Sequence, residues 1–228
     1  MMCHLPAREF AVHRDVVVKR ARETGLIAIL RHTEASRAID TAEALLRAGV
    51  DIVEVTLNTA GALGMLEAIA GHFGERLVVG AGTVMSAAAA EQAVGAGASL
   101  IVCPHLDEAI VGFAARIDVA VVPGSFTPTE IVRAWAAGAS MVKVFPAGPV
   151  GPGYIRDLRG PLNEIPLVPT GGVTLDNAAE FIRAGAAALG LGSALVQPRL
   201  VAAGQFDQIE ATAGQFLAAI RSARSADR

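Results

Sequence analysis

In the stretch Ser140-Met141-Val142-Lys143-Val144-Phe145-Pro146-Ala147-Gly148, one cationic side chain interrupts a short apolar run that Pro and Gly close. Apolar runs of this length, bounded by turn residues, read as buried strands of a parallel sheet. Side chains alternate along a strand, so Met141, Lys143 and Phe145 share one face and Val142 and Val144 the other. Burial disfavours an ammonium, lowers the lysine pKa and yields a free amine able to attack a carbonyl. The competing reading is a lysine that snorkels out of a strand end. Glu54 has the same setting in Ile52-Val53-Glu54-Val55-Thr56-Leu57, where Ile52, Glu54 and Thr56 share a face. A buried charge must be paired or functional. Glu54 is therefore either the ion-pair partner of Lys143 or an acid-base group beside it. A lysine and a carboxylate facing a mouth suit carbonyl chemistry.

Something must hold these two side chains, and the chain repeats a beat of strand then helix. A lead-in helix is expected over Arg14–Glu23. Strands follow at Leu26–Arg31, Ile52–Leu57, Leu77–Val84, Leu100–Pro104, Val119–Gly124, the lysine run, Leu167–Gly172 and Ala188–Gly192. Helices are expected near 36–48, 61–72, 86–95, 106–115, 128–137, 153–160, 176–184 and 206–223. Ala-Gly pairs at 48–49, 96–97, 137–138 and 184–185 mark helix ends, since glycine takes the left-handed position there. Thr127-Pro128 reads as a cap followed by proline in the first turn. Eight such units of about 20–25 residues are the signature of an α/β fold of the (β/α)8 TIM-barrel type. An open doubly-wound sheet shows the same alternation but more often uses fewer strands. The chain reads as a single domain, 1–228. It has a lead-in helix within 1–24, a barrel core over 25–197 and a C-terminal helix within 198–228.

Composition excludes several classes of function. The 228 residues are 53% hydrophobic with few aromatics, and the mean hydropathy is +0.48. No stretch reaches the roughly 18 uninterrupted apolar residues of a membrane span, so the apolar excess belongs to a core. A net charge of -3 and the lack of a basic stripe argue against a nucleic-acid partner. Cys3 and Cys103 lie far apart, a cytoplasmic pattern without a disulfide framework. The first residues contain no continuous apolar segment of the kind a signal peptide needs. The five histidines form no H-x-x-x-H or Cys/His cluster, so neither a metal nor another cofactor has sequence support.

In a barrel of this type the site lies at the C-terminal ends of the strands. Reading those ends gives Arg31, Glu54, Thr56, Asn58, Thr83, Pro104, Pro123, Lys143, Phe145, Thr170 and Ser193. Strands two and six are both even-numbered, and one interior layer draws on alternate strands, so Glu54 and Lys143 are placed to meet across the barrel. Two glycine-rich turns, Pro169-Thr170-Gly171-Gly172-Val173 and Gly190-Leu191-Gly192-Ser193-Ala194-Leu195, follow the last two strands. Such loops let backbone N–H groups approach phosphate oxygens, and Ser193 adds a hydroxyl.

Together with Gly80-Ala81-Gly82-Thr83-Val84 and the Glu54 and Lys143 strands, these loops resemble the 2-keto-3-deoxy-6-phosphogluconate/4-hydroxy-2-oxoglutarate aldolase family. Features of its 2-keto-3-deoxy-6-phosphogalactonate branch are also present. The resemblance covers about residues 25–197. It implies a metal-free class I aldolase, a homotrimer, acting on a small phosphorylated keto acid. Lys143 would form the Schiff base and Glu54 would shuttle protons. Thr83, Pro104, Phe145 and Thr170 would line the substrate, and Gly171, Gly172, Gly192 and Ser193 would hold its phosphate. Many phosphogluconate-type members carry arginine where this chain has Asn58, so Arg31 is expected to anchor the carboxylate instead. The Leu57-Asn58 pair resembles the galactonate branch and Thr170 the gluconate branch. A barrel isomerase of phospho-sugars, or a non-catalytic phosphate binder, would share the loops but need no imine-forming lysine.

Overall fold

The aliphatic runs become strands in the computed structural model, which describes residues 12–225. The outer parts of the expected lead-in and of the C-terminal segment, 1–11 and 226–228, lie outside the described residues. Strands are β1 (Leu26–Leu30), β2 (Ile52–Thr56), β3 (Val78–Gly82), β4 (Leu100–Val102), β5 (Ala120–Val122), β6 (Gly124–Ser125), β7 (Val142–Val144), β8 (Leu167–Pro169) and β9 (Leu189–Leu191). Helices are α1 (Arg14–Thr24), α2 (Ala38–Ala48), α3 (Ala62–Phe73), α4 (Ala87–Gly95), α5 (Glu108–Arg116), α6 (Pro128–Ala136), α7 (Gly151–Arg159), α8 (Leu175–Arg183), α9 (Pro198–Ala202) and α10 (Phe206–Ser225).

All pairings are parallel, in the orders β5-β4-β3-β2-β1-β9 and β6-β7-β8. The two sheets are one barrel. A bridge between Thr170 and Gly190 joins β8 to β9, and the chain itself joins β5 to β6 through Pro123. Proline has no N–H to give the ladder, so the fifth stave of the barrel breaks into two short strands at that residue. The expected eight-fold barrel is therefore present, with nine strands among the described residues instead of eight. Within the C-terminal segment 198–228 the expected last helix near 206–223 is present as α10, and a second, short helix that was not expected, α9, precedes it and ends at Ala202, with Gly204 between them at φ +67. Glycines at 49, 97, 138 and 185 all take φ between +96 and +102, as the repeated Ala-Gly pairs predict. Thr127 caps α6 in a capping box with Glu130.

Period-two alternation sorts the strand side chains into two cores. Ile27, Ile52, Val78, Leu100, Ala120, Met141, Val168 and Ala188 fill the barrel interior, where Val12, Val17 and Ala21 of the α1 region plug the N-terminal end. Val53, Val55, Val142 and Val144 point outward and pack under the helix ring, which α10 closes against α8 and α2. The bottom of the barrel is thus apolar and stoppered. Polar side chains on the inward face are left only the other end, where Glu54, Thr56, Lys143 and Thr170 lie.

Candidate active site

Glu54 on β2 and Lys143 on β7 both point into the barrel, and they are 2% and 4% exposed. Lys143 does not snorkel out. Burial pushes its pKa below the usual lysine value; the Glu54 charge opposes this, and the Arg31 charge adds to it. Burial likewise pushes the Glu54 carboxyl up, against the pull of Lys143 and Arg31. The two groups sense each other electrostatically, yet no salt bridge within 4.0 Å joins them among the described residues. The two side chains share the barrel interior, and the ion pair that was the competing reading of Glu54 is not closed. What touches the ammonium is the Phe145 ring, whose centroid lies 4.7 Å from Lys143 Nζ. Cys103 is also buried nearby, and burial pushes its thiol up to about 12, which leaves it protonated and unreactive at neutral pH.

Glycines shape the floor beneath these groups. Glu54 pairs in register with Gly80, but its carboxylate reaches over Gly82, where an alanine Cβ would overlap Oε1 and lie 2.6 Å from Cγ. A Cβ at Gly190 would overlap Thr170 Oγ1 in the same way. The Thr170 hydroxyl donates to Val168 O at 3.3 Å and is 6% exposed.

Beside this interior lies a cleft of about 440 Å³. Its walls include Arg31, Phe145, Thr170, Gly171, Gly172, Gly192 and Ser193 of the expected site. Gly171 and Gly172 take φ +79 and +82, and Gly148 N donates to Gly171 O at 2.7 Å. Asn177 of α8 pins the same loop, accepting from Thr174 N at 2.9 Å and donating to Gly172 O at 3.0 Å. After β9, Leu195 N and Val196 N both donate to Gly192 O. Among the described residues, the amides of Val173, Ser193 and Ala194 donate no hydrogen bond inside the chain. Free amides on two adjoining turns are donors of the kind an anion accepts from.

Five of the expected residues lie off that cleft wall, Glu54 among them in the buried interior beside it. Asn58 is exposed in the turn after β2. Thr83 is half-buried with φ +56, and Pro104 is half-buried with its carbonyl packed against Gly124. Lys143 itself sits below the wall, behind Phe145. Conversely, His32 and Ile29 line the cleft and were not predicted. His32 holds φ +54, and its N–H donates to Thr59 Oγ1 at 3.0 Å; Thr59 Oγ1 in turn lies 3.0 Å from Thr56 Oγ1. No sequence pattern marks such a contact, which depends on the neighbouring strand. Among the described residues no group of three or more His, Cys, Asp or Glu side chains is arranged to hold a metal, and no helix is long and apolar enough to cross a membrane.

The family model described as KDPG and KHG aldolase matches residues 17–212. A protein of Escherichia coli (strain K12) named 2-dehydro-3-deoxy-6-phosphogalactonate aldolase is 37% identical over 202 residues, which are 88% of this chain and 95% of that protein. The 2-dehydro-3-deoxy-phosphogluconate aldolase of Treponema pallidum (strain Nichols) is 35% identical over 79% of this chain and 86% of its own. The crystal structure of KDPG aldolase from Legionella pneumophila, with pyruvate captured as a covalent carbinolamine, superposes with a TM-score of 0.81 at 25% identity, covering 86% of this chain and 96% of that one. These relatives are named aldolases, which are carbon–carbon lyases. With a family model spanning most of its length and relatives matched almost end to end, this chain belongs to the KDPG and KHG aldolase family.

Proposed function

We propose that this aldolase is of class I and cleaves 2-keto-3-deoxy-6-phosphogluconate to pyruvate and glyceraldehyde 3-phosphate. The observation that carries the reading is the buried, depressed amine of Lys143 facing the same interior as the buried, elevated carboxyl of Glu54. The free amine adds to the C2 carbonyl, and Glu54 gives a proton as the carbinolamine loses water. The resulting iminium is the electron sink. Glu54 takes the C4 hydroxyl proton, the C3–C4 bond breaks, and its electron pair flows into the iminium to form an enamine while the aldehyde leaves. C3 then takes the proton back, and water frees pyruvate and Lys143. Arg31, unpaired among the described residues and on the cleft wall, supplies a cation for the substrate carboxylate. The amides around Ser193 and Val173 suit the phosphate.

Borohydride with pyruvate, followed by intact mass and peptide mapping, tests the chemistry. Lys143 should be labelled, and Lys143→Ala or Lys143→Arg should abolish turnover, because a guanidinium stays protonated. The only other lysine is Lys19, exposed on α1 in an ion pair with Glu23. A label there would refute the reading.

The 37% identical Escherichia coli relative favours a second reading, the phosphogalactonate epimer. The two substrates differ at C4, where a threonine hydroxyl is left without its partner by one configuration. On the gluconate reading, Thr170→Val selectively lowers kcat/KM for phosphogluconate. An unchanged ratio, or a wild-type preference for the galacto epimer, would overturn it. We also infer a homotrimer: Phe126, Val132 and Trp135, 38%, 47% and 38% exposed on and before α6, are apolar side chains that such an assembly can bury.

A further inference from the structure

At the opposite end of the barrel from the cleft, a second cavity of about 320 Å³ lies among the N-terminal ends of β8 and β9. Three arginines from three distant parts of the chain line it: Arg22 at the end of α1, Arg159 at the end of α7 and Arg224 near the end of α10. They stand with Gly185, Ala186 and Ala187, and among the described residues no carboxylate is on its wall. We propose that this cavity is a second oxyanion site, one that takes a phosphate group, separate from the cleft that faces the reaction.

The guanidiniums are held as a ligand-binding set requires. Arg159 Nη1 donates to Leu162 O at 3.3 Å and to Ile165 O at 3.1 Å. Arg224 donates from Nη1 to Glu23 O at 2.7 Å and from Nη2 to Ala187 O at 3.3 Å. A guanidinium carries five N–H donors, so these bonds orient both groups and leave donors over. Bare backbone lets them lie close. A Cβ on Gly25 would sit 2.7 Å from Arg224 Nη2, and one on Gly185 would sit 3.0 Å from Arg159 Cγ. Arg22 has no hydrogen bond or ion pair among the described residues, and its neighbour Glu23 is engaged with Lys19 instead. By contrast, Arg20, Arg47 and Arg133 each have a carboxylate partner. Burial also disfavours the Arg224 cation. Each of the three arginines lies in the last turn of its helix, where a cation offsets the helix dipole. That accounts for a basic residue on each helix but not for their convergence on one cavity. Three cations facing one space repel, and a doubly negative oxyanion relieves that.

Amide chemical shifts of the full-length protein, titrated with inorganic phosphate and in parallel with glycerol 3-phosphate, read the two ends of the barrel separately. The amides of Gly185, Ala186 and Ala187 should shift saturably with one or both ligands, and the choice distinguishes a free phosphate from a phosphate ester. Arg22→Gln, at an exposed side chain with no partner to lose, should weaken that saturation about tenfold or more and leave the Ser193 response unchanged. Arg159→Gln is the second variant, with the same expected effect. No saturable shift at Gly185–Ala187 with either ligand, or the same midpoint in wild type and both variants, would overturn the proposal. Because the readout is binding, it stands or falls independently of the aldolase substrate.

Discussion

Replacing Gly82 by alanine tests whether the placement of the Glu54 carboxylate governs the reaction. The new Cβ would overlap Glu54 Oε1 and lie 2.6 Å from its Cγ, where ordinary contact begins at 3.4 Å. Cγ must therefore retreat by about 0.8 Å, and Cδ and Oε1, which lie nearer the new methyl, must move further. A misplacement of about 1 Å in a catalytic constellation costs on the order of 10²-fold, so kcat for aldol cleavage should fall by about that factor. Overpacking should also lower stability by about 1–3 kcal/mol. The same strand supplies the control. A Cβ on Gly80 would lie 3.1 Å from Cβ, Cγ and Cδ2 of Leu100, so Gly80→Ala crowds apolar packing below the site and leaves Glu54 alone. Steady-state cleavage rates and thermal melts of both variants separate the effects. Gly80→Ala should lose stability with kcat nearly intact, and Gly82→Ala should lose both. Near-full kcat in a folded Gly82→Ala, or equal kcat losses in the two variants, would refute the argument.

Glu54→Gln should lower the rate by roughly 10²–10⁴ with little change in substrate affinity. Since the Glu54 charge holds the Lys143 pKa up, its removal should shift the pH dependence of imine formation so that the free-amine plateau is reached at lower pH; a shift to higher pH would contradict the sign. A folded Gly172→Ala, whose Cβ would lie 2.9 Å from Gly148 N, and Ser193→Ala should each raise KM for the phosphorylated acid much more than for phosphate-free 4-hydroxy-2-oxoglutarate. Equal losses on both substrates would mean the two loops serve the fold alone. Sedimentation equilibrium should return three times the 23.4 kDa chain mass, and a monomer mass would dismiss the homotrimer.

Local pattern determined a great deal here. Alternation along five or six residues is enough to aim Lys143 and Glu54 inward, because a strand has a period of two and their outward neighbours are valines. The Ala-Gly helix ends, the Thr127-Pro128 cap and the strand–helix beat are likewise short-range, and they lead to the barrel without reference to any distant residue. Tertiary structure decided whatever depends on which strand lies beside which, and at what register. That Gly82 leaves room for the Glu54 carboxylate and Gly190 for Thr170 follows from pairing across the ladder. The same holds for the Thr56–Thr59 hydroxyls that hold His32, and for the cleft that takes in Arg31 and passes by Asn58, Thr83 and Pro104. The electrostatics divide the same way. A charge amid valines announces burial, but the gap that keeps Lys143 and Glu54 from pairing, and lets each perturb the other, is a distance across a closed barrel, which no local spacing encodes.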